Sequence, residues 1–368
     1  MPENNIKNHR HDNDLRSRAA MGMLIAICIM ALALRIGDLF VPGHFAQPDE
    51  GFSITAAQKP TVQELTRFVA RDAHPPLYFV VLRYWLKIIP GGLFSAKILS
   101  VLFNVANIVL SYFLARIWTS RKTAILAAFI LAVSPWNIYW AHLARNHQML
   151  PAFFTLSSLL LFRWLKSPRE RFPWGYALAT IVMVHINYLS FFIVGAQVLI
   201  AITDCRRRLQ RLALFFPAIL LAACSYIPLM DMLIYQLLQG PMNATHFQHQ
   251  VSPGLLFYHF LFYNILTTDL GVLWYPPPSH WLSILFGGLI IAGGFIGGVK
   301  KLRNISFYIL LLVPPASSVI FAKIGQTTMA ERYLAYSIGP FAILFASGMM
   351  QFYRYSKKPF SRITDNAD

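Results

Sequence analysis

Between Met21 and Met350 the chain is a succession of apolar runs, most of about 17–25 residues, with short clusters of arginine and lysine between them. A helix of that length crosses a hydrocarbon layer roughly 30 Å thick. Lipid offers no partner for backbone N–H and C=O groups, so a continuous run of this kind satisfies them only as a helix. The chain is 56% hydrophobic and 13% charged, about half the charged fraction of a soluble domain. No soluble domain of appreciable size fits between the runs. The expected fold is therefore all-α, a polytopic integral membrane protein with about ten transmembrane helices.

The net charge of +17 is not that of a nucleic-acid-binding surface, because its distribution is periodic. Arg116, Arg121 and Lys122 form one cluster; Arg163, Lys166, Arg169 and Arg171 a second; Arg206, Arg207, Arg208 and Arg211 a third; Lys300, Lys301 and Arg303 a fourth; Arg354, Lys357, Lys358 and Arg362 a fifth. Such clusters mark cytoplasmic loops. They divide the chain into a cytoplasmic tail (1–18), one transmembrane domain (19–353) and a second cytoplasmic tail (354–368). Spans are expected at 19–41, 94–116, 123–140, 151–165, 174–188, 190–204, 212–235, 281–299, 305–322 and 333–353. The stretch 174–204 also reads as one long helix, but the alternation of basic clusters favours two. Cys28, Cys205 and Cys224 are scattered and imply neither a disulfide framework nor a thiolate metal site.

Two outer loops follow from this topology, 42–93 and 236–280. In the first, an amphipathic helix is expected between Val62 and Arg71, and an interfacial one over 77–89. Arg83 and Lys87 share one face of the latter, their stems snorkelling to the surface. The second loop carries His246 and His249, whose spacing suits a helical metal site but more commonly belongs to loop histidines.

The polar residues expected on the outer side are Asp49, Glu50, Asp72, His74, Arg145, Asn146, His147, Lys323, Glu331 and Arg332. Arg145 and Arg332 lie where the positive-inside rule disfavours them. Carboxylates and guanidinium groups at one membrane face suit sugar transfer from a polyprenyl phosphate. A lipid phosphate, with a second pKa near 6, leaves without a general acid but needs positive charge, which planar guanidinium groups supply. An attacking hydroxyl needs a carboxylate base, with or without a divalent ion. Asp49 and Glu50 are the catalytic candidates and the candidate ligands of Mg or Mn. Asp72, His74, Arg145, His147, Lys323 and Arg332 are the substrate-binding candidates. Plainer readings stand beside these: Asp49-Glu50 as a helix start, Asp72 as a surface partner of Arg71 or Lys59, Arg145 as an interface anchor.

The order of an acidic pair, then Asp72-x-His74-Pro75-Pro76-Leu77-Tyr78-Phe79, then Ser134-Pro135-Trp136-x-x-Tyr139-Trp140-Ala141-His142-x-Ala144-Arg145, then Arg332-Tyr333-Leu334 with Pro340 resembles the GT-C membrane glycosyltransferases. The nearest branch is the protein O-mannosyltransferase-like and lipid A aminoarabinose transferase-like enzymes. The resemblance is good over about 30–165 and thin beyond, the Arg332 region apart. It implies Asp49 as catalytic base with Glu50 as its partner, Arg145 near the lipid phosphate, and a Pro-Pro-Leu-Tyr helix at the interface. Members commonly have a tyrosine where this chain has His147.

The expected activity is transfer of a sugar from a polyprenyl-phosphate-linked donor to an acceptor hydroxyl, with inversion, at the periplasmic face of the cytoplasmic membrane. The partners implied are the lipid-linked donor, a glycan, lipid or protein acceptor and membrane lipids, but no nucleic acid. A flippase of lipid-linked sugars and an O-antigen ligase or polymerase are the alternatives.

Overall fold

In a computed structural model of the chain, the residues described are 2–40, 47–205, 209–238, 303–324 and 336–356. They form α1 (Pro2–Leu39), α2 (Pro48–Ala57), α3 (Val62–Val69), α4 (Leu77–Ile88), α5 (Gly92–Arg116), α6 (Arg121–Val133) and α7 (Pro135–Ala141). The remaining helices are α8 (Met149–Lys166), α9 (Trp174–Val184), α10 (Ser190–Cys205), α11 (Leu209–Cys224), α12 (Met230–Leu238), α13 (Arg303–Ile324) and α14 (Ile338–Ser356). Within that set there is no strand. Among the described residues four segments are long and apolar enough to cross a membrane: Ser17–Gly37, Gly92–Arg116, Met149–Lys166 and Leu209–Leu238. The protein is a multi-pass helical membrane protein. The expected span at 281–299, the body of the 236–280 loop with His246 and His249, and Glu331 and Arg332 lie outside the described residues. Lys323 falls in α13, but its side chain is likewise outside them.

Two expected spans are broken. The 123–140 run divides at Ser134-Pro135, where proline cannot donate to the helix ladder and Ser134 Oγ caps α7 by accepting from Asn137 N at 3.3 Å. The carbonyls that lose partners there are recovered by Arg35 of α1, which donates to Leu131 O at 3.2 Å and Ala132 O at 2.9 Å. The guanidinium also donates to Asn104 Oδ1 at 2.7 Å. Asn104 Nδ2 in turn donates to Asn137 Oδ1 (2.7 Å) and Gln148 Oε1 (2.8 Å). This knot is fully buried at Arg35 and Asn104. It joins α1, α5, α6 and α7 to the start of α8. The 212–235 run breaks into α11 and α12 through a 3-10 turn at Ile227–Leu229. Between α9 and α10, Asn187 Oδ1 accepts from Leu189 N at 2.9 Å in a turn that precedes Ser190, and 174–204 is two helices.

The loop after α1 folds into a cap of three short helices. α3 has its expected amphipathic character: Thr61 Oγ1 accepts from Glu64 N at 3.1 Å, and Leu65 and Val69, one turn apart, are buried. The snorkelling expected of Arg83 is not what the structure shows. Arg83 is buried and donates to the carbonyls of Lys59, of Pro60 (2.6 Å) and of Ala57 (3.4 Å). The end of α2 leaves those carbonyls without helical partners, and a guanidinium of five donors meets three at once. Lys87 stays exposed, over the Tyr84 ring.

At the other end of the bundle, cations close helix C-termini. Arg116 donates to Thr119 O at 2.9 Å, and Arg211 donates to Leu165 O at 2.7 Å and to Ser167 O. Lys166 donates to Ile117 O and lies 3.7 Å above Trp118. Cations are favoured there by the helix dipole. The first loop and these basic turns are thus separated by the length of α5, 25 residues or roughly 37 Å.

Candidate active site

Asp49 and Glu50 occupy the first turn of α2, after Gln47 and Pro48. Proline suits a first helical position because its missing N–H would have no partner there. Glu50 is fully buried, with both oxygens engaged: Oε2 accepts from Gln47 N at 3.0 Å and Oε1 from Ala144 N at 2.9 Å. Lys97 Nζ, on the first turns of α5, lies 3.6 Å from Oε1. Glu50 therefore starts its own helix and also fastens it to the residue preceding Arg145. Asp49 is partly exposed beside it.

The α3–α4 turn brings the second polar cluster to the same segment. Arg145 Nη1 lies 3.1 Å from Asp72 Oδ2, and Nη2 donates to Oδ1 at 3.4 Å. The surface pairing of Asp72 with Arg71 or Lys59 does not form; Lys59 instead lies over the Phe68 ring. Asp72 also accepts from Ala73 N at 2.9 Å and from His74 Nδ1 at 3.3 Å. Burial of the Asp72 carboxyl opposes ionisation, but the neighbouring His74 and Arg145 outweigh it and hold the group well below the usual carboxylate range. His74 and Arg145 are each 5% exposed. The guanidinium also faces the rings of Phe52 and Phe79, 5.9 and 5.7 Å away. Its Nε has no hydrogen-bond partner among the described residues. A buried donor left open costs free energy unless a ligand fills it.

The turn between α7 and α8 carries Arg145 and is fixed on both flanks. Ser100 Oγ donates to Leu143 O at 2.7 Å and Asn146 Nδ2 to Ile186 O at 3.0 Å. His147 is buried with its ring edge-on to Trp140, 5.3 Å between centroids. Asp49, Glu50, Asp72, His74, Arg145 and His147 thus come together at one end of the bundle.

Two groups in this cluster escape a motif reading. Lys97 is a cation near the start of an apolar helix, and an ionisable residue in such a run is itself a signal. Gln236, far along the chain, carries no sequence signal at all.

A divalent ion at the acidic pair does not suit this donor set. Glu50 has spent both oxygens on backbone N–H groups with an ammonium alongside, which leaves Asp49 as the pair's remaining carboxylate. Among the described residues no three His, Cys, Asp or Glu side chains converge as a metal site.

The geometry has counterparts in solved structures. Apo ArnT from Cupriavidus metallidurans superimposes with a TM-score of 0.60 at 13% identity, over 90% of this chain and 60% of that one. The Archaeoglobus fulgidus oligosaccharyltransferase AglB, solved with an inhibitory peptide and a dolichol-phosphate, gives 0.53 at 13% identity, over 96% of this chain and 52% of its own. This chain has the GT-C fold. Its residues 73–230, a little under half the sequence, also match the family described as dolichyl-phosphate-mannose-protein mannosyltransferase. Sequence comparison with curated proteins gives no match. The GT-C fold is carried here by a chain that spans 60% of the length of ArnT and about half that of the oligosaccharyltransferase.

Proposed function

We propose that the protein is a glycosyltransferase that moves a sugar from a polyprenyl-phosphate donor to an acceptor hydroxyl. The observation that carries this reading is Arg145: a buried guanidinium with an open Nε, beside a carboxylate pair, at the membrane end opposite the basic turns. A buried cation with spare donors suits a phosphate. The positive-inside rule assigns the basic turns to the cytoplasm, and hence the site to the outer, periplasmic face of a cytoplasmic membrane. The family match and the dolichol-phosphate bound by AglB point to the same donor class.

In the proposed reaction Asp49 takes the proton of the acceptor hydroxyl as its oxygen bonds to the anomeric carbon. The anomeric C–O bond to phosphate breaks, and its electron pair stays on the phosphate oxygen. One displacement inverts the anomeric centre and releases a lipid phosphate with one more negative charge than the diester carried. Arg145 meets that added charge, with His74 at its side. Glu50 and Lys97 are assigned to positioning. They hold α2 against the Arg145 turn, so that base and cation keep a fixed separation across the reacting bond. His147 is placed to line the same turn, and Arg332 and Lys323 remain proposed donor contacts.

Asp49→Asn tests the assignment in protein held in lipid nanodiscs with a polyprenyl-phosphate sugar. A general base contributes about 10²–10⁴-fold, so turnover should fall by that factor while the lipid donor stays bound. Retained turnover in this variant would remove Asp49 from the mechanism.

A further inference from the structure

Gln236 lies on α12, more than 160 residues from Val69, Asp72 and His74 of the first loop, yet its side chain is inserted among them. It is fully buried. Its Nε2 donates to Val69 O at 3.3 Å, to His74 O at 3.4 Å and, as the shortest contact, to Asp72 O. Its Oε1 accepts from the Tyr188 hydroxyl. Three carbonyls can only accept and the phenol donates, so the amide orientation is fixed by chemistry. The carbonyls belong to the end of α3, to Asp72, whose carboxylate pairs with Arg145, and to His74, whose ring bonds that carboxylate. No bond in the set goes to a side chain of the loop, so Gln236 reads the backbone path and not the residue types on it.

We infer that Gln236 is a positioning residue for the transfer reaction: a latch that sets the backbone of residues 69–74 and so holds Asp72, with His74 bonded to it, against Arg145. This role rests on the functional reading above. The latch itself can be read without any substrate. The charged and titratable groups facing Gln236 are Asp72 and His74 on the loop, with Arg145 behind them, and Tyr188 from the turn before α10.

The test uses the full chain in nanodiscs with three proteins: wild type, Gln236→Met and Gln236→Glu. Methionine keeps the length and removes every hydrogen bond. Glutamate keeps the acceptor for Tyr188 and loses the N–H donors, but once protonated it regains one O–H donor toward the carbonyls. Loss of about two net hydrogen bonds should speed amide exchange over residues 70–77 by about tenfold or more in Gln236→Met. Turnover should fall by a similar factor, with no change in the amount of folded protein. In Gln236→Glu the turnover relative to wild type should rise as pH falls, whereas the Gln236→Met ratio should stay flat. A residue that merely supports folding would lower the yield of both variants and give no acid rescue. The inference is overturned if Gln236→Met leaves exchange over 70–77 unchanged, or if the two variant ratios show the same pH dependence. If wild type transfers no sugar from a polyprenyl phosphate while exchange still responds to the variants, the latch stands and the transferase reading fails.

Discussion

Replacing Asp72 by Asn separates the two demands on Arg145, stability in the empty protein and anion binding in the loaded one. The carboxylate oxygen lies 3.1 Å from Nη1. At an effective dielectric constant of about 20 that pair is worth about 5 kcal/mol in Coulomb energy. Removing one partner of a buried pair typically costs about 3–5 kcal/mol. Asp72 keeps 16% of its side chain exposed, and asparagine still offers an acceptor to Arg145, so the low end, about 3 kcal/mol, is expected. The same substitution removes a negative charge from the place where the proposed phosphate would approach. Undecaprenyl phosphate should therefore bind the variant more tightly, by about tenfold if some 1.4 kcal/mol of the lost attraction is restored by the ligand. Thermal unfolding in nanodiscs, with and without the lipid, measures both effects: the empty variant melts lower than wild type, and the lipid raises its midpoint more. The acid limb adds a sign. The Asp72 carboxyl is depressed in the folded protein, so its stabilisation is present above its ordinary value near 3.9 and is lost as pH falls below that. Asp72→Asn should flatten that acid loss. Equal melting of the two empty proteins, or weaker lipid binding by the variant, would refute the idea that Asp72 is the resting counter-charge of Arg145.

Arg145→Lys keeps the charge but not the planar fork, and should weaken undecaprenyl phosphate binding by about 10–100-fold if one or two charge-assisted bonds are lost, measured by the same lipid titration. Arg35→Leu strands the Ala132 carbonyl in the protein interior, takes one of the two donors from the Leu131 carbonyl and leaves the buried Asn137–Asn104 network short of its strongest donor. It should destabilise the fold by about 2–4 kcal/mol, seen as a lower melting midpoint that lipid phosphate does not selectively restore.

The organisation of the first loop could be read from sequence because local rules govern it. Thr61 followed by Glu64 marks a helix start, Leu65 and Val69 mark its inner face, and Pro75-Pro76 delimits the next helix. The helix-start reading of Asp49-Glu50 holds for Glu50, which fastens the helix, while Asp49 beside it is partly exposed and is the residue to which the proposed base role is given. What could not be read was pairing at long range. Nothing local says that Glu50 bonds the backbone at Ala144, that Arg83 turns inward, or that Asp72 meets Arg145 and not Arg71. Each outcome depends on which unsatisfied group the fold brings within reach, and that is decided by helix packing, to which the hydrophobic pattern is nearly blind in a chain apolar on every face.

Partner chemistry then distinguishes Arg145 from Arg35 and Arg83; Arg211, which also has a carboxylate within reach, lies at the opposite end of the bundle among the basic turns. Arg35 and Arg83 are surrounded by carbonyls freed at helix ends; their donors complete a backbone that proline or a turn has interrupted, and a ligand at either would have to undo that repair. Arg145 faces a carboxylate instead, and its Nε bonds nothing among the described residues. A carbonyl cannot leave without unfolding a helix end, whereas a carboxylate on a turn can shift by a rotamer, and a phosphate can replace its charge. Burial alone would rank Arg35 above Arg145 as a functional candidate. The identity of the acceptors reverses that order, which is why the proposed lipid-phosphate site rests on the exchangeable counter-charge and not on the depth of the cation.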